Sequence, residues 1–244
     1  MKSADRPQII AFGDSALLLE LGDQIDLELN RRVHALAKVV RDDGAWGTPV
    51  PAYASLLVPY DPAEIGVDEA VDRLSALFAR AGTAAKRAPV EADTEPVEAD
   101  AVPGEADAVP GEADTEPLEV PVRYGGEHGP DLDEVARGHG LGPQDVVALH
   151  SGVTYMVYML GFAPGFAYLG GLPPELATPR RATPRDRVPP GSVGIAGQQT
   201  AIYPMATPGG WQLIGRTDLK VWDPSAEPPA LLQPGRRVRF RPVV

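Results

Sequence analysis

The chain has 244 residues, enough for two domains, and 43% of them are hydrophobic, so real cores can be buried. It has no cysteine, which excludes disulfides and thiolate metal or redox centres. The formal net charge of −12 is local: eleven acids and no Lys or Arg fall between Ala88 and Glu119, and the remainder holds 23 acids against 22 bases, leaving no broad basic excess for nucleic acid.

Gln8–Phe12 and Ala16–Leu21 read as strands separated by a GDS turn. Ile25, Leu29, Val33, Leu36 and Val40 then recur at helical spacing, and Gly44 closes that helix. Ala54–Tyr60 predicts a third strand, and Val67, Val71, Leu74 and Phe78 mark a second amphipathic helix ending near Gly82. The order β-β-α-β-α gives a small α+β domain over residues 1–88, with a sheet on one side and helices on the other. His34 sits among charged neighbours on the first helix and reads as solvated or half-buried.

Residues 89–117 read as a disordered linker: AVPGEAD and EADTEP each occur twice, like charges repel, proline blocks helix and there is little apolar surface to bury. Leu118–Tyr124 resumes as a strand and opens the second domain, residues 118–244. Two short helices follow, one started by a capping-box pair, Asp131 and Glu134, the other, Pro143–His150, by proline at its first position. From Tyr155 to Asp223, brief apolar runs (Tyr155–Leu160, Val193–Ile195, Thr200–Tyr203, Trp211–Ile214, Leu219–Trp222) alternate with PG, GG and DP breakers, the pattern of a sandwich or barrel. Pro234–Pro242 adds a turn and a last alternating strand. No apolar run reaches the roughly 18–20 residues of a membrane span, and Met1–Ala11 lacks a basic-then-apolar leader, so a soluble cytoplasmic protein without a membrane partner is expected.

Several chemistries have no motif here. There is no GxxxxGK[ST] loop, the glycines of 161–171 lack GxGxxG spacing, and Ser192 in PGSVG has Pro190 where a nucleophile elbow has glycine. His34, His128, His139 and His150 show no metal-ligand spacing. What remains is a basic cluster, Arg180, Arg181, Arg185 and Arg187, with Arg216 further on. Their guanidinium forks suit carboxylate or phosphate, or else pair with Asp186, Asp218 and Asp223. Gln198, Gln199 and Thr200 lie between apolar residues and either staple loops or bind a ligand. His150 and Tyr155 are placed to flank the same cavity as proton carrier and donor, or His150 is a cation at a helix C-terminus.

The strings GFAPGFAYLGGL, TPRRATPRDRVPPGSVGIAGQQTAIYP and TPGGWQLIGRT, with GDSALLLELGD, PAYASLLVPYDP and VRYGGEHGPDL before them, resemble the B component of the bacterial ATP-dependent 5-oxoprolinases, a group also labelled KipI-type kinase inhibitor and allophanate hydrolase subunit 1. The acidic repeat linker departs from that pattern. The resemblance implies a ferredoxin-like N-terminal domain and a cyclophilin-like β-barrel C-terminal domain. It further implies a complex with the C component, a related barrel, and with the A component, the three together opening 5-oxo-L-proline to L-glutamate using ATP. In that setting His150 and Tyr155 are the candidate catalytic residues, Arg180, Arg185, Gln199, Thr200 and Arg216 the candidate substrate-binding residues, and no metal is called for. Two other readings stay open: an inhibitor docking on a sensor histidine kinase, and a subunit for allophanate hydrolysis or urea carboxyl transfer, whose amidase and biotin-carrying parts would have to come from other chains.

Overall fold

The structure, a computed structural model, describes residues 7–85 and 116–243, with backbone alone for 80–85. The chain divides into two compact units, Met1–Asp107 and Ala108–Val244. The linker expected at 89–117 lies, except for Glu116 and Pro117, outside the described residues.

In the first unit, strands β1 (Gln8–Ala11) and β2 (Ala16–Glu20) precede helix α1 (Leu27–Asp43), and β3 (Val50–Pro51) and β4 (Ser55–Pro59) precede helix α2 (Val67–Ala85). The strands form one antiparallel sheet in the order β1-β2-β4-β3. Its two-residue edge strand β3 has no sequence signature, since a strand that short shows no alternation, and the order is therefore β-β-α-β-β-α. Alternate residues of β2 and β4 (Leu17, Leu19, Leu56, Val58) are fully buried against Val33, Leu36, Ala37 and Val40 of α1 and Leu74 of α2. Burial of each such side chain contributes about 1.5–3 kcal/mol. His34 is buried on α1, and Ile25, expected on the helical stripe, precedes the helix and is exposed.

The start of α1 is set by Asp26, whose carboxylate accepts the Leu29 N–H at 2.9 Å, and its end by Gly44 at φ 71°. Asp26→Ala is expected to lower the unfolding free energy of this unit by about 1 kcal/mol, read from the urea midpoint; an unmoved midpoint would show that the cap contributes nothing.

The second unit is built on a closed seven-stranded barrel, β10-β7-β6-β13-β5-β12-β9. Its strands are β5 (Leu118–Tyr124), β6 (Tyr155–Leu160), β7 (Ala167–Gly170), β9 (Ser192–Ala196), β10 (Gln199–Ile202), β12 (Gln212–Arg216) and β13 (Arg237–Pro242). β5 and β13 run parallel and the other pairs antiparallel. Between β5 and β6 lie α3 (Leu132–Gly138) and α4 (Pro143–Ser151). β8 (Arg185–Val188) and β11 (Thr207–Gly209) make a separate two-stranded ribbon. Leu219–Trp222, expected as a strand, contributes only a single bridge from Trp222 to Ala230.

Strand alternation divides the unit into two apolar clusters. Val120, Val122, Tyr155, Val157, Leu169, Val193, Ile195, Ile202, Val238 and Phe240 form one core together with Leu132, Val135, Val146 and Val147 of the helices. Phe166, Val188, Ala196, Ala201, Tyr203, Trp211 and Leu213 form another, made by the opposite faces of the same strands and by the ribbon. The barrel wall therefore carries apolar side chains on both faces in this region, which is why its sequence shows continuous runs rather than strict alternation.

Candidate functional site

The residues expected to surround one cavity lie on two sides of the barrel wall. Thr200 and Ile202 of β10 face the interior, so Gln199, the first residue of the strand, faces outward with Ala201. Gln199 and Thr200, both expected among the substrate-binding residues, therefore point to opposite sides of the barrel wall.

Inside, His150, Tyr155 and Thr200 are each 0% exposed. His150 Nδ1 lies 2.7 Å from the Tyr124 hydroxyl and Nε2 lies 2.9 Å from Thr200 Oγ1. Thr200 has one proton and donates it to the Gly194 carbonyl at 3.0 Å, so it accepts from His150. His150 is thereby the Nε2–H tautomer, and its Nδ1 accepts the Tyr124 proton. The Tyr155 hydroxyl donates to the His150 carbonyl at 2.7 Å, and Phe240 stacks on the imidazole at 4.5 Å. Burial pushes the His150 pKa down to about 3 and raises both tyrosines well above their ordinary range, Tyr155 further through Tyr124. His150 is consequently neutral, not a cation at the end of α4. The chain of protons ends on a backbone carbonyl, which cannot pass one onward. This arrangement ties α4 to β5, β6, β9 and β10, with Tyr124 its one partly exposed member.

Outside, the expected arginines divide by what they touch. Arg181 and Arg185 do not pair with Asp186, Asp218 or Asp223. Arg181 Nη1 and Arg185 Nη2 donate to one oxygen of Asp131, at 3.0 and 2.7 Å. Asp218 pairs with Arg123, and Asp223 with Lys220 at 2.6 Å. Asp131, 3% exposed, stands where the cap of α3 was expected but makes no cap bond; its other oxygen accepts the Leu213 N–H at 2.6 Å. Two guanidinium donors and a strand N–H outcompete the helix end for that carboxylate. Arg216 donates through Nε to the Pro190 carbonyl at 3.2 Å, and Arg180 is exposed with no ion pair among the described residues. Burial raises the Tyr168 and Tyr203 phenols, and the Arg180 charge opposes this at both.

Gln199 is 8% exposed and its Nε2 has no hydrogen-bond partner. Two shallow depressions lie on this unit: one of about 240 Å³ lined by Pro190, Tyr203, Arg216, Thr217 and Lys220 among others, and one of about 370 Å³ lined by Asp186, Arg187, Ala206, Thr207 and Pro208. Both are open to solvent. Among the described residues no cluster of His, Asp or Glu could hold a metal ion, and no helix is long and apolar enough to cross a membrane.

Tyr124, Tyr168 and Asp131 were not singled out as site residues by the sequence. Alternation along β5 puts Tyr124 in register with the buried Val120 and Val122, a signal that was available. Asp131 gave none beyond its place before a helix, because its partners are 50 to 82 residues away.

A closed barrel following a small α+β unit is an architecture that known proteins share. The chain belongs to the family of the carboxyltransferase domain, subdomain C and D, whose model matches residues 7–232. The 5-oxoprolinase B component of Bacillus subtilis (strain 168) is 41% identical over 237 residues, 96% of this chain and 92% of that protein. The 5-oxoprolinase B component of Escherichia coli O157:H7 is likewise 41% identical over 238 residues, 97% of this chain and 96% of that one. A crystal structure of the protein TTHA0988 superposes with a TM-score of 0.70 at 37% identity; it covers 94% of this chain, which spans only 40% of that longer chain.

Proposed function

We propose that the chain works as the B component of an ATP-dependent 5-oxoprolinase, opening the lactam ring of 5-oxo-L-proline to L-glutamate together with a C component of related barrel fold and an A component. The observation that carries this is the 41% identity, over nearly the whole length, to two 5-oxoprolinase B components. The open, shallow depressions of the barrel unit support a cleft that further polypeptide completes, and so do the 40% of TTHA0988 that this chain matches and the additional polypeptide in that chain. The chain alone is then inactive, ATP is handled by the complex, and the protein is cytoplasmic. The N-terminal unit fits a ferredoxin-like fold with its last strand moved to the front, since the sheet order β1-β2-β4-β3 is what that change produces, and the seven-stranded barrel fits the cyclophilin-like type.

Within that reading, the substrate side is the outer face. Among the described residues Arg180 and Arg216 present guanidinium groups without carboxylate partners, Arg185 is held by Asp131, and Gln199 has an unpaired amide donor. 5-Oxoproline carries one carboxylate and one amide, which call for a cation and for neutral hydrogen-bonding groups respectively. Mixing the purified A and C components with this chain, ATP and 5-oxoproline is expected to release glutamate, and leaving this chain out to abolish it. Equal glutamate formation without the chain would overturn the proposal.

A further inference from the structure

We infer that Asp131 is a positioning residue for carboxylate recognition on the outer face: it anchors the segment that carries Arg180, and through it sets how an acidic substrate is held. The inference rests on the functional reading above and adds a residue that the site did not include.

Asp131 is tied to β12 in both directions. Its N–H donates to the Leu213 carbonyl at 2.9 Å and its Oδ2 accepts the Leu213 N–H at 2.6 Å. A carboxylate fixed this way has one oxygen left, Oδ1, and that oxygen receives Arg181 and Arg185 together. The backbone of Arg181 is held as well, its N–H donating to the Gly210 carbonyl at 2.7 Å. Arg185 enters β8, where it pairs with Gly209 of β11. One buried anion therefore staples both ends of residues 181–185 to the barrel wall, and Arg180 is the residue immediately before the first staple.

The charge balance matters as much as the geometry. One carboxylate against two guanidinium groups leaves the cluster with a unit of positive charge, and Arg181 Nε and Arg185 Nη1 are buried without partners. Arg180, exposed and next in the chain to Arg181, adds a further cation. A face built in this way favours an anion and disfavours a neutral analogue. Loss of the Asp131 charge would free two arginines and let the 180–185 segment choose among conformations, so the orientation of Arg180 is lost although Arg180 remains.

The test uses the complete complex with 5-oxoproline and with 2-pyrrolidinone, the same lactam without the carboxylate. Asp131→Asn is expected to raise KM for 5-oxoproline at least tenfold with kcat within about threefold, and to leave turnover of 2-pyrrolidinone unchanged. Asp131→Glu, which keeps the charge, is expected to recover part of the loss. The double variant Asp131→Asn with Arg180→Ala should be no worse than Arg180→Ala alone, because both changes remove the same contact. Equal losses on both lactams, or independent multiplication in the double variant, would mean that Asp131 only supports the fold, and the inference would fall. If the wild-type complex turns over neither compound, the functional reading fails by itself. The inference is then decided on the isolated chain by the phenylglyoxal labelling rate at Arg180, mapped by mass spectrometry. A severalfold change in Asp131→Asn but not in Asp133→Asn sustains it, and an unchanged rate overturns it.

Discussion

Replacing His150 with alanine is expected to lower the stability of the barrel unit by about 4 kcal/mol, a large part of the roughly 5–15 kcal/mol that holds a domain folded. The imidazole fills space between Phe240 and Tyr155, so its removal leaves a cavity inside a closed barrel that cannot collapse around it. It also removes the acceptor of the Tyr124 hydroxyl and the donor to Thr200, and unmatched buried polar groups cost about 1–3 kcal/mol each. The same residue makes the unit sensitive to acid. Its folded pKa, about 3, lies below its ordinary value of 6.5, so the unfolded chain binds the proton more readily. Stability from this group is complete above pH 6.5 and declines as pH falls toward 3, at about 1.4 kcal/mol per unit. Between pH 7.5 and pH 5 the wild-type chain is expected to lose about 2 kcal/mol more than His150→Gln, which cannot titrate. Parallel unfolding midpoints for the two proteins across that range would show that His150 is not buried as a neutral base.

Gly129→Ala is expected to destabilise the barrel unit by more than His150→Ala does. A methyl group there would sit 2.0 Å from the Ile214 carbonyl oxygen and 2.2 Å from its carbon. That carbonyl cannot move aside, because it accepts the Gly125 N–H at 3.0 Å and belongs to β12, which is paired with both β5 and β9. The neighbouring Leu213 is held in turn by Asp131. Backbone packed against backbone has no rotamer through which to relieve the strain, so a destabilisation above about 4 kcal/mol follows. Circular dichroism and limited proteolysis would read the result. A variant with native near-ultraviolet signal and an unshifted Tm would contradict the close approach of the two segments.

The helices and the longer strands were legible because their patterns are local. β5 and β6 coincide with the runs Leu118–Tyr124 and Tyr155–Leu160, and Gly44 does terminate α1. β7 lies in a glycine-rich stretch, and both of its faces are apolar, Ala167 and Leu169 inward and Tyr168 outward beside the preceding Phe166, so no alternation marks it. β8 reads as a loop of arginines, because a two-stranded ribbon leaves Asp186 and Arg187 in solvent. The site was less legible than the fold. Composition drew attention to the arginines, but the carboxylate that sorts them, Asp131, is 50 residues away and looked like a helix cap. His150, Gln199 and Thr200 are the right kinds of residue for a polar pocket, yet whether they share one depends on which side of the barrel wall each side chain points to, and that is fixed only once the strands are paired.

The central claim is that the outer arginine face serves the reaction while the interior network serves the fold. Arg180→Ala tests it most directly, assayed in the reconstituted complex for kcat/KM with 5-oxoproline and as the isolated chain for Tm. Because Arg180 is exposed and makes no ion pair among the described residues, its Tm is expected to stay within about 1 °C of wild type while kcat/KM falls about 100-fold, the loss of one charge-assisted contact to a carboxylate. Wild-type kcat/KM in a normally folded Arg180→Ala complex would contradict the account.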